Sequence, residues 1–147
     1  MKALSRVEKA CTILETKKEY TVYKLVDINE EVVDCLIHEG ILKKLIPMLK
    51  SRNEYHYDSM DNRVNILKAV LLDPTTECYL GSLDGNMVDA IIMIHGSSLH
   101  FTNIMGSFVL WIDSPYGYTL YRSMLRDMKS MGVPVVEICR YLGKGRY

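Results

Sequence analysis

A chain of 147 residues with 48% hydrophobic and 24% charged side chains has the size and composition of one globular domain with a real core. Its 18 basic and 18 acidic residues cancel, which excludes the broad basic surface of a nucleic-acid binder and leaves only a local basic patch at Lys144 and Arg146. The longest apolar run, Ala90–Ile94, is too short to cross a membrane, and the charged N-terminus is no signal peptide.

The expected location is therefore the cytoplasm. Four cysteines (Cys11, Cys35, Cys78 and Cys139) stand far apart without a CxxC pair. They read as free thiols buried as small hydrophobes, and no metal site is expected.

In chain order, Leu4, Val7, Cys11 and Leu14 recur at i, i+3, i+7 and i+10. That stripe predicts a helix over residues 3–17 that docks on the core or on a partner. Tyr20–Ile28, rich in β-branched and aromatic residues, predicts a strand. Asn29 caps the next helix, with Glu30 and Glu31 in its first turn. Gly40 interrupts or ends that helix. A further helical segment, Ile41–Lys50, carries Pro47, and Ser51–Ser59 reads as a loop. Met60–Leu72 predicts a helix that Asp73-Pro74 stops. Glu77–Leu83, Asp84-Gly85 and Asn86–His95 form the strongest hairpin signal in the chain.

The loop Gly96–His100 leads to a strand, Phe101–Ile112, with a possible break at Gly106. The turn Asp113–Gly117, an amphipathic helix Tyr118–Met131 and a strand Val133–Ile138 complete a βαβ crossover. In that helix Leu120, Tyr121, Met124, Leu125, Met128 and Met131 form the buried face, while Arg122, Arg126, Asp127 and Lys129 face water. The order (α)βααβββαβ describes one α+β domain. It divides into an N-terminal helix over 1–18, a core over 19–140 and a tail over 141–147.

Other candidate sites are weaker. His95 and His100 flank one loop without an acidic or cysteine companion, a poor metal set. Ser97 and Ser98 lack a nucleophile-elbow pattern. Tyr116, Tyr118 and Tyr121 crowd the crossover turn, as interface or packing residues. The end Gly143-Lys144-Gly145-Arg146 is too short to specify a phosphate site.

The element order, the hairpin turn Leu83-Asp84-Gly85-Asn86 and the run Gly117–Ile138 resemble the GNAT acyl-CoA N-acyltransferase superfamily. The resemblance covers about residues 20–140. It implies a mixed sheet with a splayed strand before the turn, whose N–H groups and helix start hold the pyrophosphate of acyl-CoA. The family's (Q/R)-x-x-G-x-(G/A) turn places its Arg or Gln on Ile112, its first Gly on Pro115 and its last on Gly117. Pro115 has no N–H to offer, and Asp113 adds a negative charge beside the expected phosphates. By the same resemblance, Ser114, Tyr116, Gly117, Tyr118 and Thr119 are the cofactor-binding positions. Glu137 is the candidate base and Tyr141 the candidate acid.

The family continues with another helix and two strands, so the resemblance also implies a truncated C-terminal half. The uncovered sheet edge this leaves favours a protein partner or self-association. Two functions are open. The first is a non-catalytic binding or assembly protein without a cofactor, similar to the small GNAT-like proteins found among phage-encoded virion components. It would work in the host cytoplasm or the virion. The alternative is an N-acetyltransferase that uses acetyl-CoA on an amine.

Overall fold

Six strands form a single mixed sheet in the order in which they occur along the chain. The computed structural model describes residues 2–39, 60–96 and 104–138. Over these the fold is α+β, as the sequence predicts. Helix α1 (Lys2–Lys9) leads into the antiparallel strands β1 (Cys11–Lys17) and β2 (Tyr20–Leu25). A short helix α2 (Glu30–Asp34) continues as a π turn through Cys35–Glu39. After α3 (Met60–Leu72), strands β3 (Glu77–Leu83), β4 (Asn86–Gly96) and β5 (Ile104–Ile112) make a meander. Helix α4 (Gly117–Ser130) then crosses to β6 (Val135–Glu137), which pairs parallel to β5. The segments expected over Gly40–Ser59, Ser97–Asn103 and Cys139–Tyr147 lie outside the described residues.

The expectation for the N-terminal segment is corrected. The stripe that predicts a helix over 3–17 continues as helix only to Lys9, and Cys11–Lys17 is a strand. The β-branched residues Thr12, Ile13 and Thr16 favour the extended chain. A tight turn with Lys18 at φ 55° folds this strand onto Tyr20–Leu25. A bulge between Ile13 and Glu15 shifts the register, which a count of helical spacings cannot anticipate. Elsewhere the local signals hold. The Asn29 side chain accepts from the Val32 N–H at 3.0 Å, and Asp84 and Gly85 both take positive φ, 51° and 81°, in the hairpin turn. Gly106 does not break β5, which pairs through it on both sides.

The sheet buries both faces. On one, Val7, Val32, Val33, Leu36, Leu67 and Leu71 from the helices cover Leu25, Cys78, Leu80, Ala90, Ile92 and Val109. On the other, Leu120, Met124 and Met128 of α4 cover Tyr20, Val22, Tyr79, Ile91, Met93 and Met105. Tyr121 and Leu125 are half-buried, and Met131, expected on the buried face, is 41% exposed. Met131 is the C-cap of α4, one residue past the helix, whereas Met128 in its last turn stays buried.

Two polar clamps fix α4 in place. Asp127 does not face water as its helix position predicts: Lys24 Nζ reaches it at 2.7 Å and Glu77 at 3.4 Å. The Tyr79 hydroxyl also donates to Asp127 at 2.6 Å. Burial alone would lower the Lys24 ammonium, but its bond to Asp127 and the Glu77 charge hold it above the usual lysine range. At the other clamp, the Ser123 hydroxyl donates to Glu15 at 2.6 Å and Arg122 approaches the same carboxylate at 3.4 Å. Strand β1 and α4 are thereby joined. The Ser123 bond, with Arg122 and Arg126 nearby, holds Glu15 below the usual carboxylate range.

At Gly81 the middle of β3 is kept bare for a reason. A Cβ there would lie 1.8 Å from the Tyr20 hydroxyl, so the Tyr20 side chain crosses over this glycine. Gly81→Ala should destabilise the fold by about 1–3 kcal/mol, read as a lower urea midpoint, through overpacking. Adding Tyr20→Phe should recover only part of that loss, because the ring carbon is itself 2.5 Å away.

The Glu15 clamp has a pH signature. A carboxyl lowered in the folded state stabilises it above the unfolded glutamate range near ~4.3 and loses that contribution as pH falls through the lowered folded value. Glu15 is partly exposed, so screening limits the effect to about 1 kcal/mol or less. Urea midpoints of the wild type and Glu15→Gln should differ at pH 7 and converge as pH falls below ~4.

Candidate functional site at the crossover turn

The turn between β5 and α4 is built around one buried side chain. Asp89 sits in β4, fully buried, within the apolar run Met87–Ile94. Its carboxylate accepts four hydrogen bonds. The backbone N–H groups of Asp113 and Ser114 donate to one oxygen at 2.7 and 3.0 Å. The hydroxyls of Tyr20 and Ser114 donate to the other, Tyr20 at 2.6 Å. Burying a charged carboxylate is costly unless its lone pairs are met, and here four donors meet them. Burial and the Asp89 bond together hold the Tyr20 phenol far above its ordinary range. It therefore stays a donor.

The rest of the turn is tied inward as well. Ser114 Oγ accepts the Tyr116 N–H at 3.1 Å. The Tyr116 ring stacks on Tyr20 with centroids 4.9 Å apart, and its hydroxyl donates to Glu19 at 2.8 Å. The Thr119 N–H donates to the Tyr116 carbonyl at 3.0 Å, and Thr119 is buried. Of the five positions expected to hold a cofactor, Ser114, Tyr116 and Thr119 thus spend their N–H groups within the chain.

Gly117 and Tyr118 remain. Their N–H groups, in the first turn of α4, have no acceptor among the described residues, and a helix start favours an anion there. Gly117 also has a packing duty, since a Cβ would stand 2.3 Å from the Ile112 side chain. Tyr118 is 72% exposed with the Arg122 guanidinium 5.7 Å above its ring. Beside these residues lies a shallow groove of about 390 Å³ lined by Leu110, Ile112, Ser114, Pro115, Gly117, Tyr118 and Tyr121.

On the far side of the groove the sheet opens. β6 pairs with β5 only over Ile104–Gly106. For Val109–Ile112, no strand among the described residues lies on the side away from β4. Glu137, the candidate base, is exposed and sits in register with Gly106. That is ~20 Å of strand from the turn, at about 3.3 Å per residue. The structure does not bring Glu137 to the turn, and Tyr141 lies outside the described residues.

The other candidates resolve simply. Burial pushes the Cys11 thiol up to about 12 and the Cys78 thiol higher still, so neither is a ready nucleophile. His95 Nδ1 contacts Met105 Sδ at 3.0 Å. Among the described residues no group of three or more His, Cys, Asp or Glu could hold a metal, and no helix is long and apolar enough to cross a membrane.

Sequence reasoning passes over Asp89, Tyr20 and Gly81. The available signal is an acid in the middle of the apolar run Met87-Val88-Asp89-Ala90-Ile91, which a buried strand tolerates only when the charge is met.

The sequence matches no family model and no curated protein. The structure, by contrast, has several solved counterparts. A putative acetyl transferase from Pyrococcus furiosus superposes with a TM-score of 0.61 at 14% identity, over 86% of each chain. An aminoglycoside acetyltransferase from an uncultured soil metagenomic sample, solved with trehalose, gives 0.59 at 12% identity, over 87% of this chain and 82% of its own. A GNAT family acetyltransferase from Staphylococcus aureus gives 0.57 at 11% identity, over 88% and 92%. The strand order, the opening beside β5 and these superpositions agree: the chain has the fold of the GNAT acetyltransferases.

Proposed function

We propose that the protein is an acyl-CoA-dependent N-acyltransferase, with the acyl donor lying along the open side of β5 and its phosphates at the start of α4. The observation that carries the reading is the pair of N–H groups of Gly117 and Tyr118, without an acceptor among the described residues, beside the groove and the parting of β5 from β6. The solved proteins that share the fold are acetyltransferases, one of them named for aminoglycosides, which are amines.

A bound acyl-CoA would supply a thioester whose carbonyl an amine can attack. In this reading the chain contributes orientation more than acid–base chemistry. The Gly117 and Tyr118 amides hold negative charge at the helix start. Ile112, Pro115 and Tyr121 wall the groove. Glu137 remains the candidate to take the amine's proton, directly or through water.

One observation favours a second reading, the non-catalytic binding protein. Asp89 occupies the N–H groups of Asp113 and Ser114, and Pro115 has none. The anion site is therefore narrower than a full phosphate cradle. Strand β1, at the sheet's edge with Ile13 59% exposed, offers a surface for a partner in that reading.

Calorimetry with acetyl-CoA and with CoA separates the two. The enzyme reading expects micromolar binding. It also expects at least tenfold weaker binding in Tyr118→Pro, which removes one N–H in a helical turn where proline is tolerated. Tyr118→Ala, which keeps the N–H but removes a ring from the groove wall, should lose clearly less affinity than Tyr118→Pro. Absence of heat with the wild type would sink the acyltransferase and leave the binding protein.

A further inference from the structure

Asp89 is the one charged side chain among the buried residues of the described structure, and none of the chemistry above uses it. Its four donors come from three places: Tyr20 in β2, the Asp113–Ser114 backbone, and the Ser114 hydroxyl. Every one of these bonds ends at or beside the crossover turn. Around them the structure is cut to fit. Gly81 lets Tyr20 pass over β3, Tyr116 stacks on the same ring, and Ser114 Oγ, while donating to Asp89, accepts the Tyr116 N–H. Asp89 pairs with Gly81 in β3 and with Ile112 in β5, so the strand ladder places the carboxylate directly behind the turn.

A buried carboxylate with this donor set acts as an internal anion. Two backbone N–H groups point at it, which fixes the peptide planes at Asp113 and Ser114. Pro115 then fixes the next φ, and the Ser114 Oγ bond fixes Tyr116. Immediately after Tyr116 the chain enters α4, with the two amides that have no acceptor among the described residues. The chain direction into the helix is therefore set from behind by Asp89.

We infer that Asp89 is a positioning residue for the acyl-donor site: its carboxylate holds the turn in the single conformation that presents the Gly117 and Tyr118 amides to a ligand. It touches no ligand itself. The inference rests on the acyltransferase reading for its functional consequence, but its structural half stands apart from that reading.

The experiment uses the full chain and two readouts, backbone amide exchange at Asp113, Ser114 and Tyr116, and calorimetric binding of CoA. In the wild type these three amides should exchange slowly although their turn lies at the surface. In Asp89→Asn, which keeps the volume but loses the charge and one acceptor, exchange should speed at least tenfold and CoA should bind at least tenfold more weakly. Any kcat measured with acetyl-CoA should fall far less than KM rises. Tyr20→Phe removes one donor but leaves both backbone bonds in place, and should change each readout clearly less than Asp89→Asn does.

An Asp89→Asn protein that folds with exchange and CoA affinity unchanged overturns the inference. If that variant does not fold, Ser114→Ala removes the hydroxyl bridge to the Tyr116 N–H but keeps both backbone bonds to Asp89. Exchange that then stays slow at Asp113 supports the inference, and exchange there at the rate of an unprotected amide overturns it. If the wild type binds no CoA, the acyltransferase reading fails by itself, and the exchange rates alone decide whether Asp89 sets the turn.

Discussion

A buried carboxylate behind a surface turn sets the terms for this molecule. Leaving Asp89 with even one oxygen unmet inside the sheet would cost several kcal/mol, since an isolated charge in an apolar interior is far more expensive than a neutral polar group. The fold meets that demand from strand β2 and the crossover turn at once. Tyr20 must reach across β3, so position 81 must be glycine. The Asp113 and Ser114 amides must face inward, so the chain must leave β5 in one direction. Tyr116 must lie over Tyr20, which brings its hydroxyl to Glu19 in the first hairpin. The geometry of the candidate site is the sum of these requirements.

Much of the architecture is legible in the residues because it depends on local signals. The Asp84-Gly85 hairpin, the Asn29 cap, the Asp73-Pro74 stop and the Leu120/Met124/Met128 stripe each act within a few residues, and each stands in the structure as read. The failures share a different cause. Cys11–Lys17 has helical spacing by coincidence and becomes a strand because β2 offers a partner edge, a non-local reward invisible to periodicity. Asp127 has the position of a water-facing helix residue. Its partner Lys24 is 103 positions away in sequence, and nothing in either residue's neighbourhood announces the pair.

The site is legible only in outline. Glycine, proline and aspartate near a strand-to-helix turn mark the place, and the loss of a donor at Pro115 is plain from residue type alone. The fate of the other amides is not. Whether an N–H is available depends on what stands behind it, and that is decided by an aspartate more than twenty residues earlier. Gly117 illustrates the same point from the other side. A glycine at that position reads as a phosphate contact, yet the Ile112 side chain demands it for packing whether or not a ligand is ever bound. A residue that satisfies two constraints is weak testimony for either one.

That ambiguity bears on how the turn can work. An anion site made of backbone amides gains strength from the number of N–H groups that converge on it. Here the inward-facing amides serve Asp89 and the outward-facing ones are two. The protein has divided one turn between an internal anion, which keeps it rigid, and whatever lies in the groove. Rigidity has value for binding, because a preorganised pair of donors loses less entropy on meeting a ligand than a flexible set of four. The internal carboxylate also works against the ligand, since a buried negative charge behind the turn opposes a second one in front of it. The balance of these two effects sets how strongly the Gly117 and Tyr118 amides can hold an anion in the groove.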